Sequence, residues 1–124
     1  MCFISDTVYS MCDGVEIINS TSGLIKSHDN YPWFYSRTQG TCRKYIPVDS
    51  NFGLRIYTLK VDLDPDSKGD NLRFSDEKSK TFATLRNRDH VDIIRKDGCL
   101  MIEFRVSKRT KGGEGFVLKF DGKY

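Results

Sequence analysis

Residues 23–46, with the sequence GLIKSHDNYPWFYSRTQGTCRKYI, decide the fold. The stretch begins with a short apolar segment, turns through polar residues, crosses an aromatic segment at 31–35 and becomes extended again at Cys42. Pro32 disfavours helix at Tyr31 before it, so the aromatic segment is extended or turning backbone. Every residue of that segment except Pro32 is aromatic, and a few positions can therefore bury a large apolar surface.

The rest of the chain repeats this pattern of short apolar segments separated by turns. No window shows the sustained 3.6-residue period of an amphipathic helix. The pattern predicts about nine or ten strands, including segments 15–18, 24–26, 42–48, 54–63, 71–74, 81–85, 90–95, 99–106 and 116–120. Residues 3–11 are either a further short strand or part of an N-terminal arm. We therefore predict an all-β, antiparallel two-sheet sandwich, with residues 1–11 as the arm and 12–124 as a single domain.

Two local features refine the strand assignment. In segment 54–63 the apolar residues change phase between Thr58 and Val61, which predicts a β-bulge near residues 58–60 because the side-chain period of a strand is two. Asp97-Gly98 is typical of a tight hairpin turn, and it precedes the clean alternation of segment 99–106.

Composition limits the classes of partner. The chain has 124 residues, a net charge of +3 and an apolar fraction of 38%. This mild basicity does not indicate nucleic acid, and we expect no nucleic-acid partner. Residues 1–4 are too short an apolar start for a signal peptide, and no segment is long and apolar enough to span a membrane. We expect a mature domain without its leader, and no membrane insertion.

Cysteines and a glycosylation motif indicate the compartment. Four cysteines are an even number, widely spaced, and none of them forms a C-x-x-C pair. Such usage suits two disulfides in an oxidising environment and makes a zinc site improbable. Asn19-Ser20-Thr21 is an N-glycosylation sequon, so Asn19 is a candidate glycosylation site. We expect the chain to be secreted, or to be the extracellular part of a larger protein.

Several motifs resemble one known family. The opening resembles that of a CUB domain through its order of motif residues, which are Cys12, Gly23, Ile25, Ser27, Tyr31, Pro32, Tyr35, Cys42 and Ile46. Weaker similarities follow at residues 54–64, 70–74, 100–106 and 115–116. His28 and Lys44 depart from the family pattern, which has proline and tryptophan there, and one extra residue separates Ser27 from Tyr31. The resemblance covers nearly the whole chain and implies a jelly-roll-like sandwich.

The resemblance also implies a disulfide between Cys12 and Cys42. Closing that loop stabilises the fold by about 3–4 kcal/mol in the chain-entropy model. The family's second cysteine pair has no counterpart here, so we predict that the two remaining cysteines, Cys2 and Cys99, pair. Free or intermolecular thiols are the alternative, because sequence does not determine the connectivity of four cysteines.

Many CUB domains bind calcium through three acidic residues, of which two correspond to Asp64 and Asp70. Lys108 stands in place of the third. Calcium needs six to eight oxygen ligands, so we expect no tight calcium site and no other cofactor. A physical alternative to the metal is the Lys108 ammonium, which in its place would neutralise both acids. A weak calcium site built with Asp62, Asp66 and carbonyl oxygens is the alternative.

The functional prediction is a non-catalytic module that binds another extracellular protein. The sequence contains no nucleophile motif such as G-x-S-x-G, and we interpret His28 as a solvated turn residue and His90 as the start of an edge strand. The family resemblance implies protein recognition near the acidic and basic loops. Trp33 and Tyr35 are expected in the core, and either one, if exposed, is a candidate anchor. The candidate partner-binding residues are Asp64, Asp70, Lys108, Arg109, Lys111, Trp33 and Tyr35.

Binding of a sulfated glycan is the second functional prediction. Two basic groups support it, because clustered Lys and Arg attract polyanions. One is the loop with Lys108, Arg109 and Lys111, and the other comprises Arg37, Arg43 and Lys44. The alternative interpretation is that the loop is an exposed turn whose charges keep the protein soluble.

Overall fold

A computed structural model of the chain describes residues 7–66 and 69–122. The regular structure in this part of the chain is nine strands and one short 3-10 helix, Arg37–Gln39. The strands are β1 (Thr7–Ser10), β2 (Ser22–Lys26), β3 (Thr41–Pro47), β4 (Leu54–Asp62), β5 (Asn71–Ser75), β6 (Thr81–Leu85), β7 (Asp92–Arg95), β8 (Cys99–Arg105) and β9 (Gly115–Asp121). Within the described residues, no helix has the length and apolarity needed to cross a membrane.

The strands form two sheets. The larger has the order β1-β2-β9-β4-β7, and the smaller has the order β3-β8-β5-β6. Neighbouring strands run antiparallel, except β1 and β2, which run parallel. The prediction of an all-β, two-sheet sandwich is confirmed. Residues 7–10 join the edge of the larger sheet. The boundary between residues 11 and 12 stays a prediction, and residues 1–6 lie outside the described part.

The core lies between the central strands of the two sheets. Ile102 and Phe104 of β8 face Phe116 and Leu118 of β9, and all four side chains are fully buried. The rings of Phe104 and Phe116 meet edge to face with their centroids 4.9 Å apart, which is a favoured geometry for aromatic pairs. Tyr35 packs edge-on against Phe104 at 5.3 Å. The aromatic segment is thus attached to the core through Tyr35.

The predicted bulge is confirmed. The pairing of β4 with β9 shifts register between Thr58 and Lys60. Leu59, the extra residue, is 52% exposed, whereas Val61 is buried. The insertion returns the apolar residues of the second half of β4 to the core face.

Segment 15–18 is not a strand, contrary to the prediction. It makes one isolated bridge, in which Ile17 lies beside Tyr45 of β3. Val15 and Ile17 are exposed, and Ile18 alone of the three apolar side chains is buried. Continuous pairing of this segment with β3 would still leave Val15 and Ile17 in solvent. The apolar burial of this segment therefore comes from Ile18 alone.

The turn Asp97-Gly98 is also different from the prediction. Gly98 has a positive φ of 76°, as this turn chemistry requires. However, β7 before it belongs to the larger sheet and β8 after it belongs to the smaller. The turn therefore passes the chain between sheets, because turn residues specify a reversal and not which strands pair afterwards.

Cys12 and Cys42 form the predicted disulfide, and their Cα atoms are 5.3 Å apart. Cys99 is half-buried and forms no disulfide with another described residue, and burial raises the pKa of its thiol. Its predicted partner, Cys2, lies outside the described residues, so that pairing stays a prediction.

Lys44 lies inside the sandwich. Its side chain is fully buried, and its ammonium donates hydrogen bonds to Asp13 Oδ1 and to the carbonyl oxygen of Val15. Arg43 points to the opposite face of β3 and is exposed. The suggested basic group of Arg37, Arg43 and Lys44 is therefore wrong, because consecutive strand residues face opposite sides of a sheet.

Candidate functional site

Three loops meet at one end of the sandwich, which we call the loop end. They comprise residues 27–36 after β2, 63–70 after β4, and 106–114 between β8 and β9. The amide of Tyr35 donates to the carbonyl oxygen of Gly113 at 3.0 Å, and the amide of Lys111 donates to Asp64 Oδ2 at 2.7 Å. Described residues of all three loops are thus joined by hydrogen bonds.

Tyr35 is the centre of the loop end. Its buried hydroxyl donates to Asp70 Oδ2 at 2.7 Å and accepts from the amide of Asp64 at 2.8 Å. Burial raises the pKa of Tyr35 well above its usual range, and the Asp70 carboxylate adds to that effect. The hydroxyl therefore stays protonated and remains a donor to Asp70.

The two acids identified from sequence are both buried. Asp64 accepts from the amides of Asp66 and Lys111, and Asp70 Oδ1 accepts from the amide of Ser107 at 2.7 Å. The burial of Asp64 opposes its ionisation, but the hydrogen bonds from these amides outweigh it, so its pKa is lowered. The carboxylates thus tie the second and third loops together.

Thr110 completes the network. Its hydroxyl lies within hydrogen-bond distance of Asp70 Oδ2 and 3.4 Å from Asp64 Oδ2, and it accepts from the amide of Gly112 at 3.0 Å. A hydroxyl has one hydrogen to donate, and the closer contact to Asp70 receives it. Thr110 was not predicted, because a threonine in a basic loop carries no sequence signal for such a contact.

Lys108 does not lie between the two acids. Its side chain is exposed, and no ion pair joins it to Asp64 or Asp70 in the described part of the chain. The alternative in which its ammonium neutralises the acids is wrong. Hydrogen bonds from Tyr35, Thr110 and backbone amides stabilise the carboxylates instead.

These residues do not fit a tight calcium site. Both oxygens of Asp64 and both oxygens of Asp70 already accept hydrogen bonds from protein donors. Among residues 7–66 and 69–122, no group of three or more His, Cys, Asp or Glu side chains is arranged to hold a metal. Asp62 is engaged elsewhere, with the amide of Glu114 and the guanidinium of Arg88.

The aromatic segment divides into a buried and an exposed part. Tyr35 is 2% exposed, whereas Trp33 is 77% and Phe34 is 64% exposed. The core assignment is thus confirmed for Tyr35 and wrong for Trp33. Tyr35 packs against Phe104 in the core, whereas its two preceding neighbours are turned to solvent.

His28 supports the exposed aromatic residues. Its ring is buried, Nδ1 lies 2.6 Å from Ser27 Oγ, and Nε2 contacts the carbonyl oxygen of Trp33. The interpretation of His28 as a solvated turn residue is therefore wrong. The ring holds the backbone of Trp33 while leaving the indole outside. His28, Asp29, Asn30, Phe34 and Gln39 also line an open polar cleft of about 270 Å³.

The structure thus sorts the predicted site residues into two groups. Asp64, Asp70 and Tyr35 are buried and support the loops, and they present no side chain to a partner. The exposed residues are Trp33, Lys108, Arg109 and Lys111. Phe34 was missed, although its place beside Trp33 in an aromatic run was a usable signal. Asn19 is exposed, and its glycosylation stays a prediction.

Two solved structures with several domains contain the same fold. The CUB1-EGF-CUB2 domains of rat MASP-1 match with a TM-score of 0.72 and 18% identity, over 86% of this chain and 42% of that chain. The corresponding human MASP-1/3 structure matches with a TM-score of 0.70 and 19% identity, over 82% and 41%. This chain therefore spans less than half the length of either protein.

A single-domain structure matches over almost its whole length. The MASP-1 CUB2 domain bound to Ca²⁺ has a TM-score of 0.69 and 20% identity, and the match covers 89% of this chain and 99% of that one. No family model and no curated protein matches the sequence. The likeness is one of fold, in agreement with the motif order in the sequence. This protein thus has the fold of a CUB domain.

Proposed function

We propose that this protein is a non-catalytic, extracellular interaction module that binds another secreted or cell-surface protein through the loop end. The observation that carries the proposal is the exposure of Trp33 and Phe34, at 77% and 64%, on a hydrogen-bonded support. Tryptophan is enriched at binding hot spots. The backbone that carries these two side chains is held by hydrogen bonds, so less ordering of the backbone is needed on binding, which favours affinity.

Basic residues adjoin the aromatic pair. Lys108, Arg109 and Lys111 are exposed on the third loop. Gly112, next in this loop, lies so close to the aromatic segment that a Cβ there would be 2.1 Å from the carbonyl oxygen of Tyr35. A basic rim beside an apolar centre is a common interface arrangement, and it steers a partner with complementary charge.

The extracellular location is supported by two observations. The Cys12–Cys42 disulfide is of a kind that persists in oxidising compartments. One fold neighbour is the full extracellular region of zebrafish Gpr126/Adgrg6, with a TM-score of 0.67 and 15% identity over 94% of this chain. CUB folds generally serve as interaction modules, which favours a protein partner over a sulfated glycan.

The test is recovery of a partner by immobilised protein from a cell-surface and secreted fraction, followed by calorimetry with the purified partner. Trp33→Ala/Phe34→Ala removes the aromatic pair, and Phe52→Ala is the matched control. Phe52 is 51% exposed in the turn at the opposite end of β4. We expect the double variant to weaken binding by about 2 kcal/mol or more, with no change for the control.

Retention of full affinity by the double variant would place the binding site elsewhere and contradict the proposal. Chromatography on a heparin column tests the glycan prediction separately. Elution of the wild type only at high salt, together with loss of retention in Lys108→Gln/Arg109→Gln, would favour a sulfated glycan instead.

A further inference from the structure

Three arginines converge on one buried carboxylate on the outer face of the smaller sheet. Arg43 Nε lies 2.8 Å from Glu103 Oε2. Arg73 and Arg105 approach Glu103 Oε1 at 3.5 Å and 3.3 Å. We call this group, Arg43, Arg73, Arg105 and Glu103, the arginine face.

Strand pairing places these side chains together. Arg43 of β3 and Arg73 of β5 both pair with Glu103 of β8, so the three form one row across the sheet. Arg105 is two residues further along β8 and therefore projects from the same face. The residues come from three strands, and the register of each pairing determines the cluster.

The charges of the arginine face are not balanced. Three guanidinium groups surround the Glu103 carboxylate, and Glu16 also interacts electrostatically with Arg43, so the positive charges still exceed the negative ones. The Glu103 side chain is 3% exposed, whereas those of Arg43, Arg73 and Arg105 are 48%, 34% and 54% exposed. The anion is thus beneath the surface, and the cations are accessible from solvent.

The guanidinium groups of the arginine face also have hydrogen-bond donors that Glu103 does not use. A guanidinium has five N–H donors, and a single carboxylate cannot accept from all three groups at every position. Arg73 Nε is buried and has no hydrogen-bond partner among the described residues. The buried Nε cannot reach a ligand, but the side chains of all three arginines are partly exposed, and their exposed N–H groups can donate to a second anionic group that approaches from outside.

The surroundings favour a protein over a polysaccharide. Tyr45 and Met101 pair with each other in the adjoining row of the same face, and both are partly exposed. Tyr, Met and Arg are the residue types enriched in protein interfaces. The planar guanidinium fork can bind a carboxylate through two parallel hydrogen bonds. Each arginine makes only one contact to Glu103, so this mode of binding is available to a second carboxylate.

We propose that the arginine face is a second binding surface, which takes an Asp- or Glu-rich segment of a protein partner. A partner carboxylate would lie over Glu103 and accept from the arginines that surround it. The surface does not use Trp33, Phe34 or the third loop, so it goes beyond the proposed loop-end function. Either surface can fail while the other stands.

The test measures binding of a fluorescein-labelled oligoglutamate peptide by anisotropy and maps it by amide chemical shifts. We expect salt-sensitive binding with shifts confined to β3, β5 and β8. Arg43→Gln/Arg105→Gln should weaken binding by about tenfold or more. Lys78→Gln/Lys80→Gln removes the same number of charges from the exposed β5–β6 turn and should leave affinity unchanged.

A variant that is expected to strengthen peptide binding distinguishes a direct effect on binding from misfolding. Glu103→Gln keeps the shape of the side chain and removes the internal anion, so we expect it to tighten peptide binding by about threefold or more. A damaged fold would weaken binding instead. Trp33→Ala/Phe34→Ala should leave peptide binding unchanged, which separates this proposal from the loop-end function.

Three outcomes would overturn the proposal. The first is a chemical-shift map that lies outside these strands. The second is an equal loss of affinity in the Lys78→Gln/Lys80→Gln control. The third is binding of a heparin-derived oligosaccharide at these strands with none of the oligoglutamate peptide, which would assign the face to a sulfated glycan.

Discussion

Lys44 shows how one residue determines the path of a neighbouring segment. Its ammonium is removed from water and is matched by Asp13 and by the carbonyl oxygen of Val15. A buried ion pair gives little net stability, but removing one partner leaves an uncompensated charge. The pair therefore specifies where residues 13–15 lie against β3.

We predict an asymmetric response at this pair. Asp13→Ala leaves the Lys44 ammonium buried without its counterion and should lower the free energy of unfolding by about 3 kcal/mol. Lys44→Met keeps the volume, removes the charge, and should cost about 1 kcal/mol or less. Urea denaturation of the two variants and the wild type measures both values. A larger loss for Lys44→Met than for Asp13→Ala would contradict this account.

Asp64 makes stability depend on pH. Burial opposes its ionisation, but the amides of Lys111 and Asp66 outweigh this effect and lower its pKa from the ordinary value of 3.8. A carboxyl with a lower pKa in the folded state contributes stability above its unfolded pKa and loses it as pH falls through the folded pKa. We expect this contribution to be constant near neutral pH and to disappear below about pH 4.

The measurement compares urea midpoints across that range. Asp64→Asn should lose about 1–3 kcal/mol at neutral pH and show a shallower decline below about pH 4. Asp29→Asn, at an exposed position, is the control and should follow the wild type. Identical acid profiles for the wild type and Asp64→Asn would show that another carboxyl determines the decline.

At the scale of elements, some features can be predicted from the local sequence, whereas others depend on tertiary contacts. The bulge in β4 is visible in the sequence because an extra residue changes the phase of the apolar side chains. The connection at Asp97-Gly98 is not, because a tight turn is compatible with strands of one sheet or of two. The start of β9 adds a third case, in which a glycine is required by a neighbouring loop.

Gly115 combines a positive φ of 97° with close contact to the first loop. A Cβ built there would lie 1.8 Å from Ser27 Oγ and 3.0 Å from His28 Cε1. Gly14 has a similar φ of 87° but has no heavy atom within 4 Å of its Cβ position. We expect Gly14→Ala to cost about 1 kcal/mol and Gly115→Ala roughly 3 kcal/mol or more.

Chemical denaturation of both variants tests this difference. Gly14→Ala reports the cost of the backbone conformation alone, so the excess in Gly115→Ala measures the clash with Ser27 and His28. Because His28 holds the backbone of Trp33, Gly115→Ala should also change the tryptophan fluorescence. Equal costs for the two variants would mean that the first loop moves away freely.

At the scale of the whole molecule, hydrogen bonds connect the loops of the loop end. Asp64 and Asp70 are satisfied by Tyr35, Thr110 and backbone amides. Lys108, in the position where the family resemblance implies a third acid, is exposed. These hydrogen bonds join the described residues of the three loops.

We therefore expect millimolar calcium to leave the melting temperature of the wild type unchanged. Lys108→Asp supplies the third carboxylate and should gain a calcium-dependent stabilisation, because a ligand that binds only the folded state raises its stability. Calorimetry with calcium, and with magnesium as the control ion, measures both effects. A calcium-dependent rise in the wild type would show that two carboxylates suffice for a site.

Much of the fold was predictable because its signals are local. Alternation identified the strands from β2 onward, and the motif order around Tyr35 and Cys42 indicated the sandwich and its disulfide. Segment 15–18 and the exposure of Trp33 were not predictable in this way. Both depend on which neighbour already fills the space in the core, and a propensity for strand or for burial contains no such information.

By itself, the sequence determined the all-β class and the bulge near residues 58–60, since both depend on periodicity along the chain. The Cys12–Cys42 pairing was implied only by the family resemblance. Only the tertiary structure decided that Lys44 is buried against Asp13 and that three arginines surround Glu103. It also decided that Tyr35 and Thr110, and not Lys108, contact the pair of buried acids. These contacts join residues far apart in sequence, and Arg43 and Glu103 are separated by 60 positions. Strand register and the competition for buried space determine these contacts, and neither can be predicted from the sequence of a single segment.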